Sequence, residues 1–505
     1  MISGKLLGGT SRVNNGLYTR CFPGEFHDWG EGWDAESANV MYDRSEGFHG
    51  QAPLTGEWKT RIVDSFLESS TMYWPRVIDT ECRFMETMKE LGVPFYEDTN
   101  APKPASFVTK LRTTVTEDGK RSATNSFLSA KYLYGQQNLS ICLGAVVQRI
   151  DLDKENQVQG VFIESENDTG ITYYAKAREI ILCAGAVASP QLLMLRYCRL
   201  RIKSNWSGIG PKEPLKQLGI ECKIDLPAVG TQLVYSPDSI SNKQQDHVSV
   251  PLSYSVPVEQ SLHVLQNRPL AGLKALLQYI IFGNGIFLSP VTEYTCFLRT
   301  DRFPLYRRLS NEESDPSRPE NLPDLELAYI GTWGTAEEPL PTADKSRGFN
   351  TILVQAPRAQ SKGTIKLVDR DARVSPAVDP CYLSSEEDLH ILRKGITYGI
   401  QIADKMMEKS KSMVPALVPK SDSPEAIDEF IRRYLSGAYH LSSTCRMAPR
   451  QAGGVVDQAL RVYGVKGLRI ADASIFPRLV GVKPQATIVM VGEKCADIIL
   501  RERGL

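Results

Sequence analysis

The sequence predicts a mixed α/β protein of more than one domain, and three observations carry that expectation. Its 505 residues exceed the size at which a single hydrophobic core stops growing, about 250–300 residues. A short apolar strand runs directly into a helix at Glu179-Ile-Ile-Leu-Cys-Ala-Gly-Ala, whereas residues 139–175 and much of 221–434 read as strands joined by turns. The chain closes on a helix from about Gln485, with Ile488, Val491, Gly492, Cys495 and Ile499 at helical spacing and therefore one buried side.

Taken in order, the first informative run is residues 4–20. Adjacent Gly8 and Gly9, then Thr10, Ser11 and Asn14, put small residues and short polar side chains where a backbone can touch a bulky polar ligand. The same spacing also suits a surface turn leading into a short helix. Helical patterns follow at 59–72 and 77–92. Alternating apolar runs at 139–143, 145–152, 158–163 and 171–175 predict three or four antiparallel strands, with turns at 153–156 and 166–170. The strand from Glu179 reads as buried and enters a helix with Ser189 as N-cap and Pro190 at its first position. Residues 196–206 then carry four cations and no acid, the composition of a solvated basic loop. Further on, a strand-like run starts at Gly363, and helices are expected at 386–408 and 423–435.

Composition narrows the function classes. Lys+Arg and Asp+Glu are both 59, so net charge argues against a protein held on nucleic acid or an anionic membrane by overall charge. A hydrophobic fraction of 42% and a charged fraction of 23% are those of a folded globular chain. The 10 cysteines form no Cys-x-x-Cys pair, which argues against a structural zinc site or a dense disulfide framework. No apolar run reaches the roughly 18 residues of a membrane span. Residues 273–288 come nearest, but Lys274, Gln278, Asn284 and two glycines interrupt them. The expected partner is a small molecule.

Three ordered blocks of this sequence resemble the glucose–methanol–choline (GMC) family of flavin oxidoreductases. The first is residues 4–20 with Phe26-His-Asp-Trp and Gly32-Trp33; Cys21 stands where the family has a small residue. The second is Ala184-Gly-Ala-Val-Ala-Ser-Pro-Gln-Leu-Leu-Met-Leu, resumed at Ser207-Gly-Ile-Gly-Pro-Lys-Glu, with residues 196–206 as an insertion. The third runs from His440 through Cys445-Arg-Met to Asp497. Weaker likeness fills the gaps, so the resemblance covers essentially the whole chain.

The resemblance implies a two-domain fold. An FAD domain with a parallel sheet would be assembled from residues 1–50, 125–220 and 435–505. A substrate domain on an antiparallel sheet would use residues 51–124 and 221–434. It implies oxidation of an alcohol to a carbonyl with FAD as hydride acceptor, an activity that often serves biosynthesis. Carried over position by position, His440 is the catalytic base, and an unperturbed imidazole pKa near 6.5 suits that task. Flavin contacts fall on Thr10, Asn14, Asn15, Gly16 and Leu17. Val147 falls near the adenine end, Ala473 near the pyrophosphate and ribityl chain, and Gln485 at the N-terminus of the last helix. The positive dipole end of that helix suits the negative charge of reduced flavin.

Three departures from the family pattern accompany the match. The family opens with a βαβ unit of at least about 30 residues whose Gly-x-Gly-x-x-Gly turn receives the pyrophosphate. Met1 here falls almost on the first block, and no such turn follows a strand elsewhere, so the expectation is a chain without that unit. The second catalytic position, His or Asn in the family, falls on Lys483; either burial makes it a base or nucleophile, or its side chain turns to solvent. The run Leu226-Pro-Ala-Val-Gly-Thr-Gln-Leu-Val-Tyr-Ser-Pro lacks the Asp-His that the family places after Val-Gly. These departures set a rival beside the alcohol oxidase, a non-redox or inactive relative that uses the cavity for proton transfer, cyclisation or binding.

Overall fold

Two large hydrophobic cores organise the chain. The computed structural model describes residues 4–49, 58–62, 75–101, 104–116, 119–128, 138–166, 171–197, 206–230, 246–282, 285–288, 291–302, 311–334 and 344–505.

The first core gathers residues from both ends of the sequence, among them Tyr18, Trp29, Trp33, Leu182, Leu193, Ile470, Phe476 and Met490. Its aromatic centre explains the tail of the first block. Trp29 sits 5.3 Å from Phe26, 5.7 Å from Trp33 and 5.2 Å from Phe476 between ring centroids, and the Trp33 indole N–H donates to the Gln458 carbonyl at 3.0 Å. These residues are packing groups that dock the N-terminal block against the C-terminal one.

Beside this core lies a two-stranded parallel sheet, Ile180–Leu182 with Leu468–Ile470. The strand from Glu179 was expected to be buried; Leu182 is, but Ile181 is 43% exposed. The helix after it is Gly185–Met194, so it begins about one turn before the expected cap and Ser189 lies inside it. Its hydroxyl is committed elsewhere, donating to the Asp472 carboxylate at 2.5 Å, and the Gly185 N–H reaches the same oxygen at 2.8 Å. A tertiary contact thus takes the role that local capping suggested. The strands Ala145–Leu152, Val158–Ser165 and Thr172–Lys176 form an antiparallel meander. Residues 139–143 are irregular and make no strand. The six-stranded sheet continues through Arg196–Tyr197, Trp206–Gly210 and Ile220–Asp225, so both ends of the basic segment 196–206 are strands that pair with each other. Residues 198–205 lie outside the described residues.

The second core is built on an eight-stranded sheet. Its path runs Val414–Leu417, Val248–Pro257, Arg347–Ala356, Leu325–Ile330, Tyr294–Leu298, Phe107–Lys110 and Phe95–Tyr96, with Ser436–Gly437 paired onto Val248–Pro257. Helix Glu386–Lys409 crosses one face. A Cβ on Gly395 would come within 2.6 Å of Leu325 and Val354, so glycine lets helix and sheet approach this closely. Helix Pro424–Tyr434 starts where its sequence predicts, with the Ser423 hydroxyl accepting from the Ala426 N–H at 3.2 Å. Helix Pro75–Glu90 matches the second of the two early helical patterns. The first pattern does not hold as read: Trp58–Ile62 is a strand, because it completes a small sheet with Glu46–His49 and Arg112–Thr113. Residues 63–74 lie outside the described residues.

Among the described residues no helix is long and apolar enough to cross a membrane. Helix Pro269–Phe282, the core of the most apolar stretch, nonetheless turns Leu270, Leu273, Ile280 and Phe282 outward.

Candidate active site

The register of one strand pair builds the centre of the site. Val248 faces Gly437 and Ser249 faces Ser436 in an antiparallel ladder. Extending that register beyond the strands places His247 opposite Ala438, whose N–H donates to the His247 carbonyl at 2.9 Å. Asp246 then meets the chain at His440, and its carboxylate accepts the His440 N–H at 2.7 Å. The other oxygen of Asp246 accepts the Tyr382 hydroxyl at 2.6 Å. A Cβ at Gly437 would lie 2.3 Å from that oxygen and 1.9 Å from the Tyr382 hydroxyl, so only glycine fits there. Gly437→Ala is therefore expected to cost several-fold in turnover with a lowered melting temperature, read by activity and thermal unfolding together; an unchanged enzyme would show that the carboxylate needs no such support.

His440 and His247 meet through their Nδ1 atoms at 2.8 Å, and His247 Nε2 lies 2.8 Å from the Val480 carbonyl oxygen. Val480 is held in turn, since the neighbouring Gly481 N–H donates to the buried Glu25 carboxylate at 3.1 Å, which Arg358 pairs with at 3.2 Å. Two non-glycine residues beside His440, Tyr439 and Ser443, take left-handed φ values of 60° and 68°. Backbone strain of this kind costs about 1–3 kcal/mol and persists where surrounding contacts over-determine it. Here those contacts include the Ser443 N–H to Ala473 carbonyl bond at 3.1 Å and the Cys445 N–H to Ser474 carbonyl bond at 2.8 Å.

The electrostatics follow from burial. Burial, then the neighbouring His247 and Lys483, hold the His440 imidazole well below its usual pKa. Burial likewise pushes His247 down to about 4. Asp246 moves the other way, raised by burial against the hydrogen bonds from Tyr382 and the backbone.

Lys483 turns inward. Its ammonium pairs with the carboxylate of Glu326 and stands 5.7 Å from the ring centroid of Phe297. Of the two orientations open to it, the solvent-facing one is ruled out. Glu326 is 1% exposed on the strand Leu325–Ile330, where it faces Phe297 across the sheet and also accepts the Thr295 hydroxyl at 2.6 Å. The ammonium is thus taken up by an ion pair with a buried carboxylate.

The cofactor-binding candidates divide. Asn14 joins the two ends of the chain: its amide donates to the Gln485 side-chain oxygen, and its own oxygen accepts the Gly16 N–H at 3.0 Å. Arg121 braces this turn, donating to the Ser11 carbonyl at 2.9 Å and the Asn14 carbonyl at 2.5 Å. Gly16 needs its positive φ of 68° at this bend. Leu17 is buried, and Ala473 is buried beside Asp472. Thr10 and Asn15 lie exposed on either side of Asn14, and Thr10 accepts the Gly4 N–H at 3.3 Å. Val147 is half-buried on another element, opposite Ile163 in the six-stranded sheet.

An Asp-His pair does meet His440, as Asp246-His247, separated from Val229-Gly230 by residues 231–245, which lie outside the described residues. The available signal was an acid and an imidazole immediately before the alternating strand Val-Ser-Val-Pro-Leu. Glu326 was also missed, and its signal was a lone carboxylate within the apolar run Leu-Glu-Leu-Ala-Tyr-Ile.

The paired imidazoles stand where a strand of the second core's sheet meets the chain segment around His440 and Val480. GMC oxidoreductase family models match residues 1–237 and 359–492. The chain is 30% identical over 514 residues to the GMC-type oxidoreductase Rv1279 of Mycobacterium tuberculosis, covering 98% of this chain and 84% of that one. It is 27% identical over 533 residues to the dehydrogenase str4 of Strobilurus tenacellus, covering 98% and 81%. The fold superposes on an R554K variant of formate oxidase from Aspergillus oryzae RIB40 with a TM-score of 0.81 at 23% identity, covering 99% and 84%. The chain belongs to the GMC oxidoreductase family, whose members are FAD-dependent enzymes acting on CH–OH groups.

The described residues fit the isoalloxazine end of FAD. Gln485 Nε2 is buried without a hydrogen-bond partner, and helix Gln485–Glu502 begins with no side-chain cap, leaving its first N–H groups as donors. These donors suit the negative edge of a reduced flavin.

Proposed function

We propose that this protein oxidises a small, predominantly apolar alcohol to its carbonyl compound, with His440 as the base that takes the hydroxyl proton. The observation that carries this reading is the orientation of His440. Its Nδ1 and backbone N–H are committed to His247 and Asp246, and its Nε2 takes no hydrogen bond among the described residues. That nitrogen is the one able to receive a proton.

When bound, FAD supplies the acceptor for the carbinol hydride. Asn14, Gly16 and Gln485 would hold its ring system, with Ala473 nearer the ribityl chain. Asp246 anchors the backbone of His440, so the imidazole is oriented from two sides. The Lys483–Glu326 pair puts a compensated charge beside the site, and Phe297 provides an apolar wall. The name of str4 points to a dehydrogenase, and a place in biosynthesis is part of this proposal.

The experiment is turnover of a panel of alcohols by flavin-loaded enzyme, with alkyl and aryl primary alcohols ranked by kcat/KM. Activity confined to charged polyols would overturn the substrate class. A pH profile adds a second check. Because burial depresses the His440 pKa, the neutral imidazole persists as pH falls through 6.5. The acidic limb of kcat/KM should therefore lie well below pH 6.5. An inflection at 6.5 would place the base in open solvent.

The phosphate end of the cofactor is read separately. No Gly-x-Gly-x-x-Gly turn, the one that receives the pyrophosphate in the family, occurs within the 505 residues. In a polypeptide without that turn, the backbone N–H groups that offset the desolvation of the two FAD phosphates in the family would be missing. A polypeptide of these 505 residues is expected to purify with less than one flavin per chain, measured by visible absorbance after denaturation. Stoichiometric flavin would mean that another group receives the pyrophosphate.

A further inference from the structure

The two imidazoles and one carbonyl form a chain whose proton positions can be worked out from the acceptor end. The Val480 carbonyl carries lone pairs only, so the contact at 2.8 Å places a proton on His247 Nε2. A neutral imidazole carries one ring proton, which leaves His247 Nδ1 as a lone pair. His440 Nδ1, 2.8 Å away, must then be the donor. The single proton of neutral His440 is thereby spent on Nδ1, and its Nε2 is bare. In water a neutral histidine side chain favours the opposite arrangement, with the proton on Nε2. We infer that His247 is a positioning residue that imposes the Nδ1–H tautomer on His440 and so presents Nε2 as a lone pair to the cavity.

The arrangement survives the reaction it serves. When Nε2 of His440 accepts a proton, Nδ1 still donates to His247 and no hydrogen bond is lost. A proton on His247 would instead set two N–H groups against each other, and relief would require His440 to move its own proton to Nε2. Burial opposes that state, since it keeps His247 neutral down to about pH 4. Glu326 favours a charged His247 and Lys483 disfavours it, so the two members of the ion pair act in opposite directions at this imidazole. The carboxylate of Asp246 is held on the His440 N–H and the Tyr382 hydroxyl, and neither ring nitrogen of His247 bonds to it.

The inference rests on His440 as base only for its consequence; the tautomer itself is measured without turnover. The chain has 6 histidines, so labelling with ring-15N histidine gives a spectrum that can be assigned residue by residue. His440→Ala identifies the His440 signals by their loss. In the full wild-type chain, long-range proton–nitrogen correlation should show His440 with a protonated Nδ1 and a bare Nε2. His247→Leu removes the acceptor and should return His440 to the Nε2–H form. His247→Gln should keep the wild-type pattern, because a side-chain amide can accept from His440 and donate to the Val480 carbonyl at the same time. In flavin-loaded enzyme the Leu variant should lose about 10–100-fold in kcat and the Gln variant should recover most of it, the range known for groups that orient a metal-bound imidazole from behind. A wild-type His440 protonated on Nε2 overturns the inference, and so does an unchanged tautomer in His247→Leu. Should the Leu variant fail to fold, the wild-type spectrum alone decides. A correct tautomer together with an unaffected His440→Ala enzyme would leave the inference standing and remove His440 as the base.

Discussion

Replacing His440 with alanine should lower the turnover of flavin-loaded enzyme by roughly two to four orders of magnitude, the contribution expected of a positioned general base. At about 1.4 kcal/mol per tenfold, that is roughly 3–5.5 kcal/mol of transition-state stabilisation. The imidazole is tied at Nδ1 and at its backbone N–H, so nothing else in the pair can move into its place. His247 offers no substitute, because both of its nitrogens are engaged. The measurement is kcat/KM for the best alcohol, with flavin content and melting temperature compared to separate chemistry from folding. A loss under about threefold, far below the range for general base catalysis, would sink the assignment.

The second large effect is on stability. Lys483→Met should destabilise the protein by about 3–5 kcal/mol, because it strands the carboxylate of Glu326 in the interior without its partner. Glu326 is 1% exposed, and its other polar contact, the Thr295 hydroxyl, cannot neutralise a charge. The double variant Lys483→Met with Glu326→Gln should recover most of that loss, since the desolvation penalty of both ions disappears along with their attraction. Denaturant midpoints of the two single variants and the double variant form the cycle. A single-variant loss under about 1 kcal/mol would show that the carboxylate finds another partner. The same reasoning governs the exchange toward the family's own residue. Lys483→Asn belongs with Glu326→Gln, because alone it would confound a change in chemistry with a buried, unpaired acid.

Much of this site was legible along the chain. His440 was recognisable from its place five residues before Cys445-Arg-Met, and Gln485 from its place at the start of a helix whose apolar spacing is regular. Asn14 stood out as a short polar side chain after two glycines. Each of these signals is local: a motif, a period of 3.6, a turn residue. The helix Pro424–Tyr434 was likewise written in its own residues, from the Ser423 cap to the basic pair in its last turn.

Residues whose role depends on a distant partner were not legible in this way. Asp246 and His247 carry no local signal after Val229-Gly230; what matters is the strand register that brings His247 to a residue 193 positions away and Asp246 to the same residue. Ser189 carries the signature of a helix cap, yet it spends its hydroxyl on Asp472, 283 residues further on. Trp58–Ile62 has a helical pattern and forms a strand because a sheet edge is there to pair with it.

The sequence by itself therefore determined the family, the two-part architecture and the residue proposed as the base, because each rests on residue types at fixed short spacings. Only the tertiary structure decided that Lys483 is paired with Glu326, that Asp246-His247 completes the site, and which nitrogen of His440 is free. The physical reason is that charge pairing and proton position depend on distances between chain segments. Those distances are set by strand register and core packing, which sum contributions from hundreds of residues and leave no mark on any one of them.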